Sequence, residues 1–313
     1  MKKKKVKIHF SKGQLTRVSV FLLLVILMLF IPFPENLKKA YTVSLTIDPT
    51  PVITATPAPP IPVNSSKVPP PDLSAESIVI KDLASLDTLY AKNENKLLFP
   101  ASTTKVMTAL VILDKYNLDE VMAIKTLVNN GRNMNLVSGE QLTVESLLYG
   151  TLVHSANDAA YALAENYPGG VEGFVAEMNR KAQSLGLKDT FFTNPVGFDD
   201  PRHYTTARDL VTLSVYALQN KIIDKIVSTK SITVSDTSYT YFHELHNVNQ
   251  LLGKIAGISG LKTGWTENAG EILISSVKKN GHTVLFAVLK SADRFGETVQ
   301  LIDWVFNNFT WVQ

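Results

Sequence analysis

The spacing of hydrophobic positions changes twice along the chain. Short apolar runs bounded by turn residues, typical of strands, occupy residues 77–83, 87–93 and 96–99. Between residue 103 and about residue 224, apolar residues recur three and four apart, which predicts amphipathic helices. That spacing is clearest at residues 107–116, 144–167 and 173–186.

Strand-like runs return near the end of the chain, at residues 271–277 and 283–289. The sequence Lys-Lys-Asn-Gly-His lies between them, and its Asn-Gly pair predicts a tight hairpin. A last amphipathic helix is expected at residues 297–309. Strands at both ends with helices between them predict one α+β domain over residues 72–313. Its antiparallel sheet would be built from both chain ends, with an inserted helical lobe.

The N-terminus carries an export pattern. Lys2 to Lys5 precede an almost purely apolar run over residues 18–33, and no acidic residue occurs before Glu35. We therefore predict a basic cytoplasmic segment at 1–17 and a transmembrane signal-anchor or signal peptide at 18–34. The absence of a clear small-residue cleavage site favours an uncleaved anchor over a cleaved signal. Either interpretation places the domain outside the cytoplasm.

A proline-rich stretch separates the apolar run from the domain. Residues 48–71 contain nine prolines, a composition that favours extended polyproline conformations over a packed core. We interpret residues 35–71 as a linker that lifts the domain off the cytoplasmic membrane. A proline-rich ligand for a partner protein is the alternative interpretation.

Composition narrows the chemistry. The net charge of +3 is small, and without the N-terminal lysines no basic excess remains, so no nucleic-acid partner is expected. The chain has no cysteine, which excludes disulfides, thiol nucleophiles and thiolate metal sites.

The main catalytic candidate is the sequence Pro-Ala-Ser-Thr-Thr-Lys at residues 100–105. Ser102 and Lys105 lie three apart at the predicted start of a helix, so their side chains share a face. A serine hydroxyl is a weak nucleophile unless a base accepts its proton, and a neutral lysine can be that base. A capped helix with a surface lysine is the simpler interpretation. The same spacing also occurs twice at the strand end that leads into the predicted hairpin, from Ser275 to Lys278 and from Ser276 to Lys279.

Two further motifs make a catalytic interpretation the better one. Ser155 and Asn157 interrupt an apolar helical run, and a helix break there would turn both side chains into a cleft. Lys262, Thr263 and Gly264 are expected on a strand, where glycine allows a ligand backbone to approach closely. Ser-x-x-Lys, Ser-x-Asn and Lys-Thr-Gly in this order form the signature set of penicillin-recognising serine enzymes.

Residues 75–312 also resemble the serine-type D-alanyl-D-alanine carboxypeptidases, the low-molecular-weight penicillin-binding proteins. The resemblance extends through the sequences at 138–165, 194–210 and 247–270. It implies a penicillin-binding transpeptidase/β-lactamase-like fold and removal of the terminal D-alanine from peptidoglycan stem peptides. It also implies β-lactams as covalent inhibitors and no cofactor.

The resemblance assigns roles to the matching residues. Ser102 would be the acyl-ester nucleophile and Lys105 its general base. Ser155 would relay a proton toward the leaving amine, and Asn157 would hold Lys105 and the substrate amide. Lys262 and Thr263 would bind the terminal carboxylate, and Gly264 would lie beside the substrate. The backbone N–H groups of Ser102 and Trp265 would form the oxyanion hole. An ammonium near Lys105 should lower its pKa and favour the neutral base.

Other matching residues are expected to be structural. Thr206 and Asp209 have capping-box spacing, and Asn194 and Gly197 are predicted to shape a loop beside the cleft. The sequence His-Glu-Leu-His at 243–246 is not the zinc helix pattern and has no evident third ligand, so no metal site is predicted.

Three alternatives remain open. The chain has 49 residues after Gly264, too few for the C-terminal β domain of larger family members, which leaves carboxypeptidase and endopeptidase action both open. A serine β-lactamase would share the three motifs, but the class A sequence Glu-x-x-Leu-Asn is not found between Ser155 and Lys262. A wall-binding module without turnover is the non-enzymatic alternative.

Overall fold

The computed structural model describes residues 12–29 and 58–313. Helix α1 occupies Lys12–Leu29. Within the described ranges, no helix combines the length and the apolar character that crossing a bilayer requires. The last residues of the predicted anchor, 30–34, and most of the predicted linker, 35–57, lie outside the described residues.

The remaining elements alternate between a strand region, a helical region and a second strand region. The helices are α2 (Lys105–Leu113), α3 (Val144–Leu152), α4 (Asn157–Glu165), α5 (Gly170–Ser184), α6 (Ala207–Leu218), α7 (Lys221–Val227) and α8 (Arg294–Asn308). The strands are β1 (Ile61–Asn64), β2 (Ser77–Asp82), β3 (Thr88–Lys92), β4 (Val121–Ala123), β5 (Gln141–Thr143), β6 (Ser231–Ser235), β7 (Phe242–His246), β8 (Ile258–Thr266), β9 (Gly270–Lys279), β10 (His282–Ser291) and β11 (Phe309–Val312).

A five-stranded antiparallel sheet in the order β3-β2-β10-β9-β8 forms the centre of the domain. The first two strands come from the beginning of the domain and the other three from its end, which confirms the predicted α+β architecture. Strands β9 and β10 form the predicted hairpin. Asn280 and Gly281 both adopt positive φ angles, 54° and 85°, as a two-residue turn between twisted strands requires.

Strand β10 shows how both faces of the sheet are covered. Side chains alternate along a strand, so Val284 and Phe286 point to one face and Leu285 and Ala287 to the other. The first pair belongs to an apolar cluster with Leu301 and other residues of α8. The second pair belongs to the larger cluster that includes the helical lobe. Because both faces are buried, the strand is a continuous apolar run.

The helical lobe follows the predicted pattern, including its interruption. Helix α3 ends at Leu152 and α4 begins at Asn157, and between them Ser155 has a left-handed φ of 61°. The strand predicted at residues 96–99 is wrong. Leu98 makes only an isolated bridge with Thr205, so this short apolar segment connects the sheet to the lobe without joining a ladder.

The predicted domain start at Asp72 is too late. Strand β1 lies inside the proline-rich stretch and pairs with β11 over four residues. The Trp304 indole also donates a hydrogen bond to the Val68 carbonyl at 3.0 Å. An edge strand tolerates proline, because the N–H that proline lacks can be one that faces away from the neighbouring strand. The proline content of this segment therefore did not reveal its pairing with β11.

Candidate active site

Ser102 lies in a tight turn that leads into α2. The turn is a short 3-10 helix, Ala101–Thr104, which begins after Pro100, and Ala101 has a positive φ of 47°. The first residue of α2 is Lys105. Its amine Nζ lies 3.0 Å from the Ser102 hydroxyl oxygen, so the two side chains meet on one face as their spacing predicts.

The Lys105 amine is surrounded by oxygen atoms. Besides Ser102 Oγ, Nζ lies 2.7 Å from Asn157 Oδ1 and 3.1 Å from the Val196 carbonyl oxygen. Those two oxygens can only accept hydrogen bonds. A neutral amine has two hydrogens and one lone pair, so donating to both acceptors directs its lone pair at Ser102. The geometry therefore suits a base that takes the hydroxyl proton.

Burial favours the neutral form of Lys105. The side chain is fully buried, and desolvation lowers its pKa from 10.5 to about 7, while the nearby Asp158 carboxylate acts in the opposite direction. Burial is the larger cause of this shift. Repulsion between two ammonium groups is mutual, and for this pair of lysines it lowers the pKa of Lys262.

The turn between α3 and α4 presents Ser155 and Asn157 to the same space. The Asn157 amide donates through Nδ2 to the Asn130 carbonyl at 2.7 Å, which leaves Oδ1 facing Lys105. The Asn157 backbone N–H donates to the Arg132 carbonyl at 2.7 Å. These contacts hold the asparagine and attach the 130–132 loop to the rim of the site.

Lys262 and Thr263 lie on β8, as predicted. Lys262 Nζ donates to Ser155 Oγ at 2.8 Å and to the Thr263 carbonyl at 3.1 Å. Burial holds the pKa of Lys262 well below its ordinary value, and the cations of Lys105 and Arg294 lower it further. The charged groups that act on the pKa of Lys262 are therefore cations.

Gly264 allows β8 to approach the turn that carries Ser102. A Cβ atom at this position would lie 3.1 Å from the Ala101 side chain and 3.2 Å from the Pro100 carbonyl oxygen. Trp265 follows at the rim, with 63% of its surface exposed. Glycine therefore sets the width of the gap between β8 and Ser102.

These residues surround a cavity of about 510 Å³. All its lining residues lie between positions 102 and 294, and they are Ser102, Gly131, Arg132, Ser155, Asn157, Val196, Gly197, Phe198, Val248, Thr263, Gly264, Trp265, Thr266, Glu267 and Arg294. Among the eight predicted site residues, six line it directly. Lys105 and Lys262 lie behind the wall and reach it through Ser102 and Ser155.

The family model for D-alanyl-D-alanine carboxypeptidases matches residues 64–293. This chain belongs to that family. It is 34% identical over 245 residues to the D-alanyl-D-alanine carboxypeptidase DacF of Bacillus subtilis, covering 75% of this chain and 63% of DacF. It is 35% identical over 237 residues to a D-alanyl-D-alanine endopeptidase of Pseudomonas aeruginosa, covering 74% of this chain and 75% of that protein. The chain therefore spans less than two thirds of the length of DacF.

Solved structures of similar proteins cover the same region. The DD-transpeptidase of Streptomyces K15 superposes with a TM-score of 0.73 at 31% identity, over 77% of this chain and 100% of that one. Penicillin-binding protein D2 of Listeria monocytogenes in an ampicillin-bound form superposes with a TM-score of 0.68 at 28% identity, over 76% and 100%.

Two arginines that line the cavity of this D-alanyl-D-alanine carboxypeptidase family member were not predicted from the sequence. Arg294, the first residue of α8, donates through Nη1 to the Gly264 carbonyl at 2.8 Å, and its buried Nε has no partner among the described residues. Arg132 lies in the loop attached to Asn157. Neither arginine belongs to a recognisable motif. Their positions depend on the approach of distant segments.

The other Ser-x-x-Lys matches cannot form a similar pair. Ser275 and Ser276 lie on β9, and on a strand, side chains three positions apart point to opposite faces. Ser275 instead accepts a hydrogen bond from the Asn249 amide at 3.1 Å. The same alternation separates His243, which is buried, from His246, which is exposed. His243 Nε2 lies 2.6 Å from Glu140 Oε1 and joins β7 to a neighbouring loop.

The residues expected to be structural do have structural contacts. Thr206 caps α6, because its side chain accepts from the Asp209 backbone N–H at 3.1 Å. The Asp209 carboxylate does not complete a capping box. It accepts instead from the Asp189 backbone and the Thr190 hydroxyl, both at 2.8 Å. Asn194 Oδ1 accepts from the backbone of Gly197 at 2.8 Å and shapes the predicted loop beside the cavity.

Proposed function

We propose that this protein is an extracytoplasmic serine D,D-carboxypeptidase that removes the terminal D-alanine from peptidoglycan stem pentapeptides. The observation that carries the proposal is the contact between the Ser102 hydroxyl and the buried Lys105 amine. Membership of the D-alanyl-D-alanine carboxypeptidase family supports the substrate class.

Acylation begins with Ser102. Its Oγ attacks the carbonyl carbon of the penultimate D-alanine while Lys105 Nζ accepts the hydroxyl proton. The carbonyl oxygen gains negative charge and is stabilised by the backbone N–H groups of Ser102 and Trp265. When the C–N bond breaks, the leaving amine takes a proton delivered through Ser155. D-Alanine departs and leaves an ester on Ser102.

Deacylation uses the same groups. A water molecule gives a proton to Lys105 and attacks the ester carbonyl, and the Ser102 oxygen leaves with a proton. The peptide product ends in the former penultimate D-alanine. If the amine of a second peptide attacks instead of water, the same ester gives transpeptidation, the activity named for the Streptomyces relative.

The cationic part of the cavity would bind the terminal carboxylate. Thr263 and Arg294 line this part, Lys262 lies directly behind it, and the buried Arg294 Nε is available for a ligand oxygen. An anion beside Lys262 would raise its pKa again and favour the ammonium form.

An endopeptidase acting on peptide cross-links is a second candidate, because one relative with 35% identity is named as such. Cross-link cleavage would use the same ester and differ only in the leaving amine. A β-lactamase remains less suited, because the loop at 191–200, Phe-Phe-Thr-Asn-Pro-Val-Gly-Phe-Asp-Asp, contains no glutamate to drive deacylation. The non-catalytic wall-binding alternative would leave the Ser102–Lys105 pair without a use.

The decisive experiment measures D-alanine release from a pentapeptide and penicillin labelling of the same preparation. We expect release, and by intact-mass spectrometry one added drug mass located on the Ser102 peptide. Ser102→Ala should lose both signals, whereas Ser275→Ala should keep both. A label on another serine, or rapid penicillin turnover without an adduct, would contradict the assignment. Release of product from a cross-linked dimer, tested in parallel, decides between the two peptidase activities.

The proposed location rests on the sequence of the N-terminal segment. The apolar residues 18–33 behind a basic flank support a single membrane anchor with the domain on the outer face. Cell fractionation should recover the full-length protein with membranes. A shortened, soluble protein in the native host would show that the segment is a cleaved signal.

A further inference from the structure

His203 is a buried histidine that joins two parts of the molecule on either side of Lys105. Its side chain has no solvent exposure. Nε2 lies 3.0 Å from Thr104 Oγ1, and Thr104 directly precedes the catalytic lysine. Nδ1 lies 3.3 Å from the Thr193 backbone nitrogen and 3.1 Å from Asn194 Nδ2. The imidazole thus bridges the nucleophile turn and the start of the 194–198 loop.

The partners determine which ring nitrogen carries the proton. Three groups face Nδ1. The Thr193 backbone N–H and the Asn194 side-chain amide can only donate, and the Thr193 hydroxyl at 3.2 Å can donate or accept, so a lone pair on Nδ1 suits all three. Nε2 then carries the hydrogen and donates it to the Thr104 hydroxyl. Of the two neutral tautomers, this one satisfies both groups that can only donate to Nδ1. Burial also lowers the pKa of His203 to about 4, against the opposing effect of Asp200, so the ring is neutral at physiological pH.

The 194–198 loop supplies one of the two acceptors that orient Lys105. Asn194 Oδ1 accepts from the backbone N–H groups of Val196, Gly197 and Phe198 at 2.8–3.2 Å. The Pro195 carbonyl accepts from the Thr108 hydroxyl at 2.6 Å. The loop therefore holds the Val196 carbonyl 3.1 Å from Lys105 Nζ. His203 contacts the residue before this lysine and the residue that shapes this loop.

We propose that His203 is a positioning residue for the general base: by bridging Thr104 to Thr193 and Asn194, it fixes the Val196 carbonyl against Lys105 and so directs the lone pair of the amine to Ser102. This inference rests on the proposed function, because it assigns His203 a part in forming the Ser102 ester. His203 does not line the cavity, so its effect falls on the chemical step and not on substrate binding.

The test separates binding from chemistry in the reaction of Ser102 with a fluorescent penicillin. Rapid mixing gives the dissociation constant of the initial complex and the rate constant of ester formation. For His203→Leu we expect ester formation to slow at least about tenfold, a typical effect of a lost orienting hydrogen bond, with the dissociation constant unchanged within about twofold. His203→Gln keeps a donor and an acceptor and should recover part of the rate.

Two variants keep the result interpretable. Thr104→Val preserves the ring but removes its acceptor, and it should slow the same step if the bridge matters. Phe174→Leu removes an edge-on contact with Tyr167 in the helical lobe, and it should lower the melting temperature without changing the rate of ester formation. Equal slowing in Phe174→Leu, or an unchanged rate in both His203→Leu and Thr104→Val, would overturn the proposal.

A measurement without turnover tests the bridge itself. Two-bond proton–nitrogen NMR correlations on the unchanged protein should show His203 protonated at Nε2 alone near pH 7. A proton on Nδ1 would overturn the proposal even if the enzyme is active. Failure of the proposed function has a different signature, since it would appear as absence of a Ser102 adduct in the unchanged protein.

Discussion

Lys262 Nζ lies 2.8 Å from the hydroxyl of Ser155, so strand β8 and the turn between α3 and α4 meet through a single hydrogen bond. This contact joins the sheet to the helical lobe at the cavity. It also places the Ser155 hydroxyl between Lys262 and the cavity.

The first prediction concerns the charge on the substrate. If Lys262 pairs with the terminal carboxylate, amidating that carboxylate should slow cleavage of the terminal D-alanine residue about ten- to hundredfold. A charge-assisted hydrogen bond contributes roughly 1.5–3 kcal/mol. Lys262→Met should lose a similar factor on the free acid and little more on the amide. Lys254→Met, which alters an exposed lysine, serves as the control. Equal cleavage of acid and amide by the unchanged enzyme would reject the pairing.

The second prediction concerns pH. The pKa of Lys105 is lowered to about 7, and only the neutral amine accepts the Ser102 proton. Acylation by penicillin should therefore be half-maximal near pH 7 and fall about tenfold for each pH unit below it. The unfolded chain, with the ordinary pKa of 10.5, holds more protons between pH 7 and 10.5, so this group makes folding more favourable as pH rises through that range. Half-maximal acylation near pH 10 would show that the amine is not desolvated.

The third prediction concerns Gly197. Its φ is +89°, and a Cβ atom would lie 1.7 Å from the Ala101 carbonyl oxygen and 2.9 Å from Thr104 Oγ1. Gly197→Ala should destabilise the fold by more than about 2 kcal/mol and displace the Val196 carbonyl, so acylation should slow as well. Gly139→Ala is the matched control, because Gly139 has a φ of +83° and no atom within 4 Å of the added carbon. Comparable losses in both variants, measured by denaturant unfolding, would mean that backbone strain alone is responsible.

The fourth prediction concerns the domain boundary. A chain that begins at Asp72 lacks β1 and the Val68 carbonyl that accepts from Trp304. It should melt at a lower temperature than a chain that begins at Pro57, by an amount equivalent to roughly 1–3 kcal/mol for the lost hydrogen bonds. Penicillin acylation at 25 °C should be similar for both chains, since the cavity residues all lie between positions 102 and 294. Identical melting temperatures would show that the β1–β11 pairing adds nothing to stability.

The sequence by itself determined the architecture and most of the site. The change in hydrophobic spacing located the central strands and the helical lobe, because period two and period 3.6 are local properties of backbone geometry. The three motifs identified Ser102, Lys105, Ser155, Asn157 and the β8 residues, because each pairs side chains within a few positions. The break at Ser155 was predictable too, since serine and asparagine weaken a helix wherever they occur.

Tertiary structure decided what depends on contacts between distant segments. Burial, which sets the pKa of Lys105, exists only when α2 is enclosed by α4, β8 and the 194–198 loop. Arg294 reaches the cavity because α8 begins beside β8, 30 residues further along the chain than Gly264. His203 meets Thr104 across 99 residues, and β1 meets β11 across nearly the whole domain. Desolvation and long-range hydrogen bonds require atoms that folding alone brings together, and no local pattern of residue types encodes which atoms those are.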